Sequence, residues 1–219
     1  GGATVNGQPQ VALTRYTTAG LPDITFGSGG STLTPVGQSA TAFGLAIDGL
    51  NRIVVVGTSD SSLLIMRYDA SGNLDGTFGS GGITTDAIGS QNTSFGVAFD
   101  SLGRPVVCGS IDDVAFVGRY TPTGILDGTF GTGGITQAAV GAYSVFYDVA
   151  VETSGDIVAT GFADDVDVVT ARFDASGTLD GSFGSGGVAS VLFNTPSAGR
   201  AVSIDTLGDI FIGGFSCSN

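Results

Sequence analysis

Hydrophobic residues fall in short runs and in alternations of period two, and no stretch sustains the 3.6-residue spacing of an amphipathic helix. Leu45-Ala46-Ile47, Val97-Ala98-Phe99, Val149-Ala150-Val151 and Val202-Ser203-Ile204 are large-small-large triplets. In an extended strand this alternation puts the large residues on one face and the small one on the other. Five residues follow each triplet, as in Asp100-Ser101-Leu102-Gly103-Arg104, and then a β-rich run such as Ile53 to Val56 or Ile210 to Ile212. The fourth residue of that turn is Asn51, Gly103, Gly155 or Gly208. Glycine and asparagine tolerate the left-handed region best, so the pattern predicts a hairpin. A second turn closes on Gly20, Gly72, Gly124 and Gly177, after a strand that runs into Arg-Tyr, such as Leu63 to Tyr68. Each unit therefore carries two hairpins and about four strands. The pattern leaves open whether the fourth strand starts near Leu74 or near Ile83.

The chain is self-similar at a period of 52 to 53 residues. Phe26 to Gly30 (Phe-Gly-Ser-Gly-Gly) returns at Phe78, Phe130 and Phe183. Arg15-Tyr16 returns as Arg67-Tyr68, Arg119-Tyr120 and Arg172-Phe173, and Asp23 as Asp75, Asp127 and Asp180. Asp48, Asp100, Glu152 and Asp205 form another register, and Gly57, Gly109, Gly161 and Gly214 a further one. Tandem four-stranded units of this length predict an all-β fold, a β-propeller in which each unit is one blade. The repeats run over about 42–94, 95–146, 147–198, and 199–219 together with 1–41. The chain opens with the second half of a unit and closes with the first half. A four-bladed ring is expected, with the fourth blade shared by the N- and C-termini, which would leave no open sheet edge. Gly1-Gly2 and Gly213-Gly214 share a register, so residues 215–219 exceed a minimal ring. The alternative is that the C-terminal half-unit pairs with a neighbouring molecule, giving a filament.

The unit Arg67-Tyr68, Gly72, Leu74-Asp75, Phe78-Gly79, Gly81-Gly82, with its equivalents over nearly the whole chain, resembles the delta-sixty repeat. NHL-type blades are more distantly similar. The first copy departs from the pattern, with Pro22-Asp23 in place of Leu-Asp. The resemblance implies a propeller-like fold in large secreted or surface proteins, hence an extracellular or cell-surface location. It carries no catalytic motif to transfer.

Composition narrows the function classes. The 219 residues hold 38 glycines and a formal charge of −13, with seven basic residues, all arginine, and no histidine. That charge repels phosphate backbones and anionic membranes, so no nucleic-acid partner is expected. The apolar runs are too short for membrane insertion. The N-terminus, Gly1 to Val5, has no charged-then-apolar signal and reads as a mature or excised piece. Cys108 and Cys217 sit at different repeat positions; a disulfide between them is one reading, and without histidine they are too few for zinc.

Without His or Lys there is no Ser-His-Asp triad, Schiff base or His-ligated metal, so the chain is expected to be non-catalytic and without a cofactor. A two-carboxylate glycosidase is the one enzyme class that remains. The FGSGG loops lack the lysine and following helix of a phosphate cradle. Arg15, Arg67, Arg119 and Arg172 each precede Asp23, Asp75, Asp127 or Asp180 by eight residues, and their presence in every unit points to a structural Arg–carboxylate clamp. Asp112, Asp113, Asp164, Asp165 and Asp167 thicken one rim and are the Ca²⁺ candidates, against a solvated acidic surface. Tyr143 lies outside the repeat registers and is the carbohydrate-stacking candidate. The leading expectation is a structural or interaction module whose partners are other protein chains, or itself head to tail. A ligand-binding propeller for carbohydrate or Ca²⁺ is the alternative.

Overall fold

The computed structural model describes residues 1–5, 8–164, 167–193 and 195–217, and among them every regular element is a β-strand. The N-terminal sheet has three strands, β1 (Gly2–Val5), β2 (Gln8–Thr14) and β3 (Ser31–Pro35). Three four-stranded antiparallel sheets follow. The first holds β4 (Ala40–Ile47), β5 (Ile53–Ser59), β6 (Ser62–Tyr68) and β7 (Ile83–Asp86). The second holds β8 (Asn92–Phe99), β9 (Pro105–Ile111), β10 (Val114–Arg119) and β11 (Ile135–Gln137). The third holds β12 (Ser144–Val151), β13 (Ile157–Ala163), β14 (Asp167–Phe173) and β15 (Val188–Leu192). The chain ends in a two-stranded sheet of β16 (Ser197–Ile204) and β17 (Ile210–Ser216).

Local backbone chemistry sets the hairpins. Asn51, Gly103, Gly155 and Gly208 all have positive φ. The Asp48 carboxylate accepts the Leu50 and Arg52 amides, and its second oxygen accepts from Arg52 Nε at 2.7 Å. Glu152 replaces the aspartate in the third four-stranded sheet, and its Oε1 is buried without a partner. The fourth strand begins after the FGSGG loop, at Ile83. Leu74 contributes only an isolated bridge to Tyr68.

The sheets stack face to face in chain order, with β4, β8, β12 and β16 side by side. The second strands lie between two neighbours, which is why Ile53 to Val56 is apolar on both faces and buried throughout. One core joins Val11, Leu13 and Phe26 of the N-terminal sheet to Leu64, Met66 and Tyr68. The next joins Val54, Val56 and Phe78 to Val97, Phe116 and Tyr120.

The triplets obey their alternation only where a preceding sheet supplies a partner. Val97 and Val149 are buried, whereas Leu45 and Ile47 are 56% and 60% exposed. The N-terminal sheet has no first strand to cover them. The terminal strands form two separate sheets in place of the expected shared one. β1 pairs with β2 from Gly2↔Val11 to Val5↔Gln8, and the Gly1 carbonyl accepts from the Ala12 amide. By the repeat register that edge of β2 is where the end of β17 would have paired. Cys108 is buried, Cys217 is exposed, and both are free thiols.

Candidate functional site

The chemistry-bearing residues that recur in every unit converge on the joint between successive sheets. Arg67 Nε donates to Asp75 Oδ2 at 2.8 Å, its Nη2 donates to Thr77 Oγ1 at 2.8 Å, and its Nη1 reaches the Pro122 carbonyl of the following sheet. Arg119 repeats this with Asp127 at 2.8 Å, Thr129 at 3.2 Å and the Ala175 carbonyl at 2.6 Å. Arg15 does the same with Asp23, Thr25 and the Ala70 carbonyl. Each guanidinium also lies over the ring of its own FGSGG loop, 4.8 Å from Phe26, 4.7 Å from Phe78 and 4.8 Å from Phe130. The clamp predicted within a unit therefore uses its remaining nitrogen to hold the next unit.

The phenylalanine completes the joint. Phe78 is fully buried, and a Cβ on Gly124 of the next sheet would stand 2.8 Å from its Cε1. Gly124 has φ +82° and cannot be replaced without strain. Gly72 meets Phe26, and Gly177 meets Phe130, in the same way. The Gly79 amide donates to the Thr123 carbonyl at 2.8 Å, and Thr84 Oγ1 donates to the Gly124 carbonyl at 2.7 Å. Tyr120 is buried with its hydroxyl donating to Asp86 at 2.9 Å; burial first, then that carboxylate, raises its pKa well above the usual phenol value.

The clamp carboxylates are held below their ordinary range. The Thr129 hydroxyl, then its amide and Arg119, bring Asp127 to about 2, and Ser182 with Arg172 brings Asp180 to about 2. Asp23 and Asp75 are lowered first by the Thr25 and Thr77 hydroxyls. In the unfolded chain these groups return to about 3.9. Depressed carboxylates add stability above the unfolded value and lose it as pH falls through the folded one. The melting temperature is therefore expected to be flat from neutral pH to about 5 and to fall steadily from about pH 4 toward 2. Thermal melts followed by circular dichroism check this; an unchanged midpoint at pH 2.5 would contradict it.

The acidic rim is already engaged by backbone. Asp112 accepts from the Ser90 and Gln91 amides, Asp164 from the Ala142 and Tyr143 amides, and Asp60 from those of Gln38 and Ser39. Asp113 forms the tip of its hairpin at φ 65°. Asp165 lies outside the described residues, and Asp167 begins β14. Among the described residues no three acidic or cysteine side chains gather where they could hold a metal ion.

A second cluster comes from a β-bulge. Each first strand shifts register at one position, between Ala42 and Gly44, Ser94 and Gly96, Phe146 and Asp148, and Gly199 and Ala201. The extra residues are Phe43, Phe95, Tyr147 and Arg200. They form a continuous row, with Phe43–Phe95 ring centroids 4.9 Å apart and Phe95–Tyr147 5.1 Å apart. The Arg200 guanidinium lies 3.7 Å from the Tyr147 centroid and 5.3 Å from that of Phe215. Tyr143 packs on Phe162 at 5.4 Å and is 40% exposed. The alignment of Tyr147 with Phe43 and Phe95 was readable in the repeat, but a bulge has no residue-type signature.

Residues 51–78 match a family described as a domain of unknown function (DUF5122) beta-propeller. No curated protein matches the chain's sequence. Among solved structures it is similar to a protein of unknown function from Bacteroides caccae, crystallised at 1.35 Å resolution, with TM-score 0.53 and 10% identity. The match covers 83% of this chain and 56% of that one, so this chain spans about half its length. The chain is all-β and propeller-like, and the family match supports a propeller-like repeat without bearing on the delta-sixty repeat in particular.

Proposed function

We propose that the chain is a non-catalytic structural and interaction module, a run of propeller blades that serves as scaffold in an exported surface or filament-forming protein. The observation that carries this reading is where the recurrent polar groups are spent. Arg67 and Arg119 divide their nitrogens between their own blade and the carbonyl of the next, which is the bonding of a load-carrying joint and leaves little for a ligand. Their identity from blade to blade fits the same role, because ligand sites on repeats tend to break symmetry. The exported location rests on the resemblance of the repeat alone.

The bulged row supports a second reading, a carbohydrate-binding face. Phe43 is 50% exposed, and Arg200, among the described residues, has no carboxylate partner while the other six arginines do. Aromatic faces stack on sugar rings, and an arginine fork suits an acidic one. A ligand that binds only the folded chain raises its melting temperature. A thermal-shift screen against neutral and uronic oligosaccharides and Ca²⁺ at millimolar concentration is expected to leave the midpoint unmoved. A rise of several degrees with any of them would replace the scaffold reading by the binding one.

A further inference from the structure

Each joint has two sides, and the chain carries one unfilled copy of each. The leading side is an FGSGG phenylalanine, its arginine and the amide of the next glycine. Phe26, Phe78 and Phe130 on that side are fully buried, whereas Phe183 is only half-buried. Arg172 keeps Asp180 and Ser182 and lies 4.9 Å from the Phe183 centroid. Among the described residues it meets no carbonyl of a following blade, unlike Arg15, Arg67 and Arg119.

The receiving side is the second turn. Gly72, Gly124 and Gly177 each press on a phenylalanine ring, but nothing lies within 4 Å of a Cβ placed on Gly20. Tyr68 and Tyr120 are fully buried, while Tyr16 in the same register is 62% exposed. The carbonyls of Thr18 and Ala19 stand at the repeat positions of Ala70 and Ser71, which accept from Arg15 and from the Gly27 amide.

The groove between them has the right shape. An apolar groove of about 570 Å³ runs beside β17, lined by Val168, Thr170, Phe183, Val191 and Ile212. Val168, Thr170 and Phe183 occupy the repeat positions of Val11, Leu13 and Phe26. At the first joint those three are covered by Leu64, Met66 and Tyr68 of β6. The residues in that register on β2 are Ala12, Thr14 and Tyr16. The groove is a seat from which the third strand is missing, and β2 is a third strand that lacks its seat.

We propose that the C-terminal face of one copy takes the N-terminal sheet of a second copy, so that β16 and β17 of the first and β2 and β3 of the second complete one blade. This rests on the scaffold reading and names its partner as another copy of the same chain. Phe183 then presses on the second copy's Gly20, Arg172 donates to its Thr18 carbonyl, and its Tyr16 enters the groove. β17 meets β2 in the register of β5 on β6, and the incoming β1 yields to the end of β17. Within one chain the two faces stay open, as the exposures of Phe183 and Tyr16 record. Two copies joined at both ends supply three whole blades and one composite blade each, a ring of about eight, inside the range that propellers close. Ala12 and Thr14 are smaller than Leu64 and Met66, so a joint of micromolar strength is expected in place of a permanent one.

Sedimentation velocity on the 219-residue chain, from 1 to 200 µM at neutral pH, is expected to show the 21.7 kDa monomer passing to a species of twice that mass. Phe183→Ser blocks the leading side, and Gly20→Asp blocks the receiving side while tolerating the positive φ of that turn. Each alone is expected to weaken association at least tenfold. Mixed together they keep one good joint between them, so a heterodimer forms, which also shows that both variants fold. A chain that stays monomeric at 200 µM overturns the proposal, whether or not its own ends have met. So does a dimer indifferent to both substitutions, or a mixture that does no better than its parts. If the chain is monomeric yet loss of Arg67 still lowers its melting temperature, the second copy is refuted and the scaffold reading survives.

Discussion

Arg67→Ala is expected to cost about 3 to 5 kcal/mol, the usual result of removing one partner from a buried ion pair. Its side chain is 3% exposed, and its Nε stands 2.8 Å from Asp75 Oδ2. Removal strands that carboxylate at 16% exposure, frees the Pro122 carbonyl and uncovers the Phe78 ring. At about 2 to 4 °C per kcal/mol for a domain of this size, the midpoint should fall by roughly 6 to 20 °C. Arg15→Ala is the comparison. That side chain is 36% exposed and its partner 24%, so solvent screens the pair and a clearly smaller loss than at Arg67 is expected. Arg67→Lys should recover little, because one ammonium cannot serve an acid, a hydroxyl and a carbonyl in three directions. Denaturant titration of the three variants checks the order. Equal midpoints for Arg67→Ala and the parent would remove the joint as the source of stability.

The sequence makes legible whatever residue type encodes. The eight-residue spacing of Arg67 and Asp75 identified a clamp, because side chains in every unit at fixed distance are visible as letters. Its other half was invisible. The acceptors are the backbone carbonyls of Ala70, Pro122 and Ala175, and a carbonyl is the same at every residue. Hairpins were legible from Asn51 and Gly103 because positive φ selects residue type. The aromatic row was not, since a bulge at Phe43 breaks the alternation on which facing is judged. The exposure of Leu45 and Ile47 was also hidden: their faces are apolar like those of Val97 and Val149, and only the missing strand before them decides the outcome. The shared terminal blade failed for a related reason. The register shared by Gly1-Gly2 and Gly213-Gly214 marked a surplus of chain, but two glycines do not say which of the two segments takes the edge of β2, and β1 takes it.

Gly124→Val should damage the joint between blades severely. A Cβ there would sit 2.8 Å from the Gly79 nitrogen and 2.8 Å from Phe78 Cε1. Neither can retreat: the nitrogen belongs to a loop pinned by the Thr123 carbonyl, and the ring is enclosed in the core. The φ of +82° adds strain for a β-branched residue. Overpacking costs about 1 to 3 kcal/mol and the strained backbone about 1 to 3 more. The total of about 2 to 6 kcal/mol is a large share of the stability of an ordinary domain, about 5 to 15 kcal/mol, so the variant should melt well below the parent. Gly20→Val supplies the internal control, read at low protein concentration. Its turn has the same hand, φ +77°, but nothing lies within 4 Å of the added carbon. It should bear the backbone strain alone and lose only a few degrees. The difference between the two variants isolates the contact of ring against glycine from the turn that presents it. Equal losses would mean that the turn, and not the joint between blades, requires glycine.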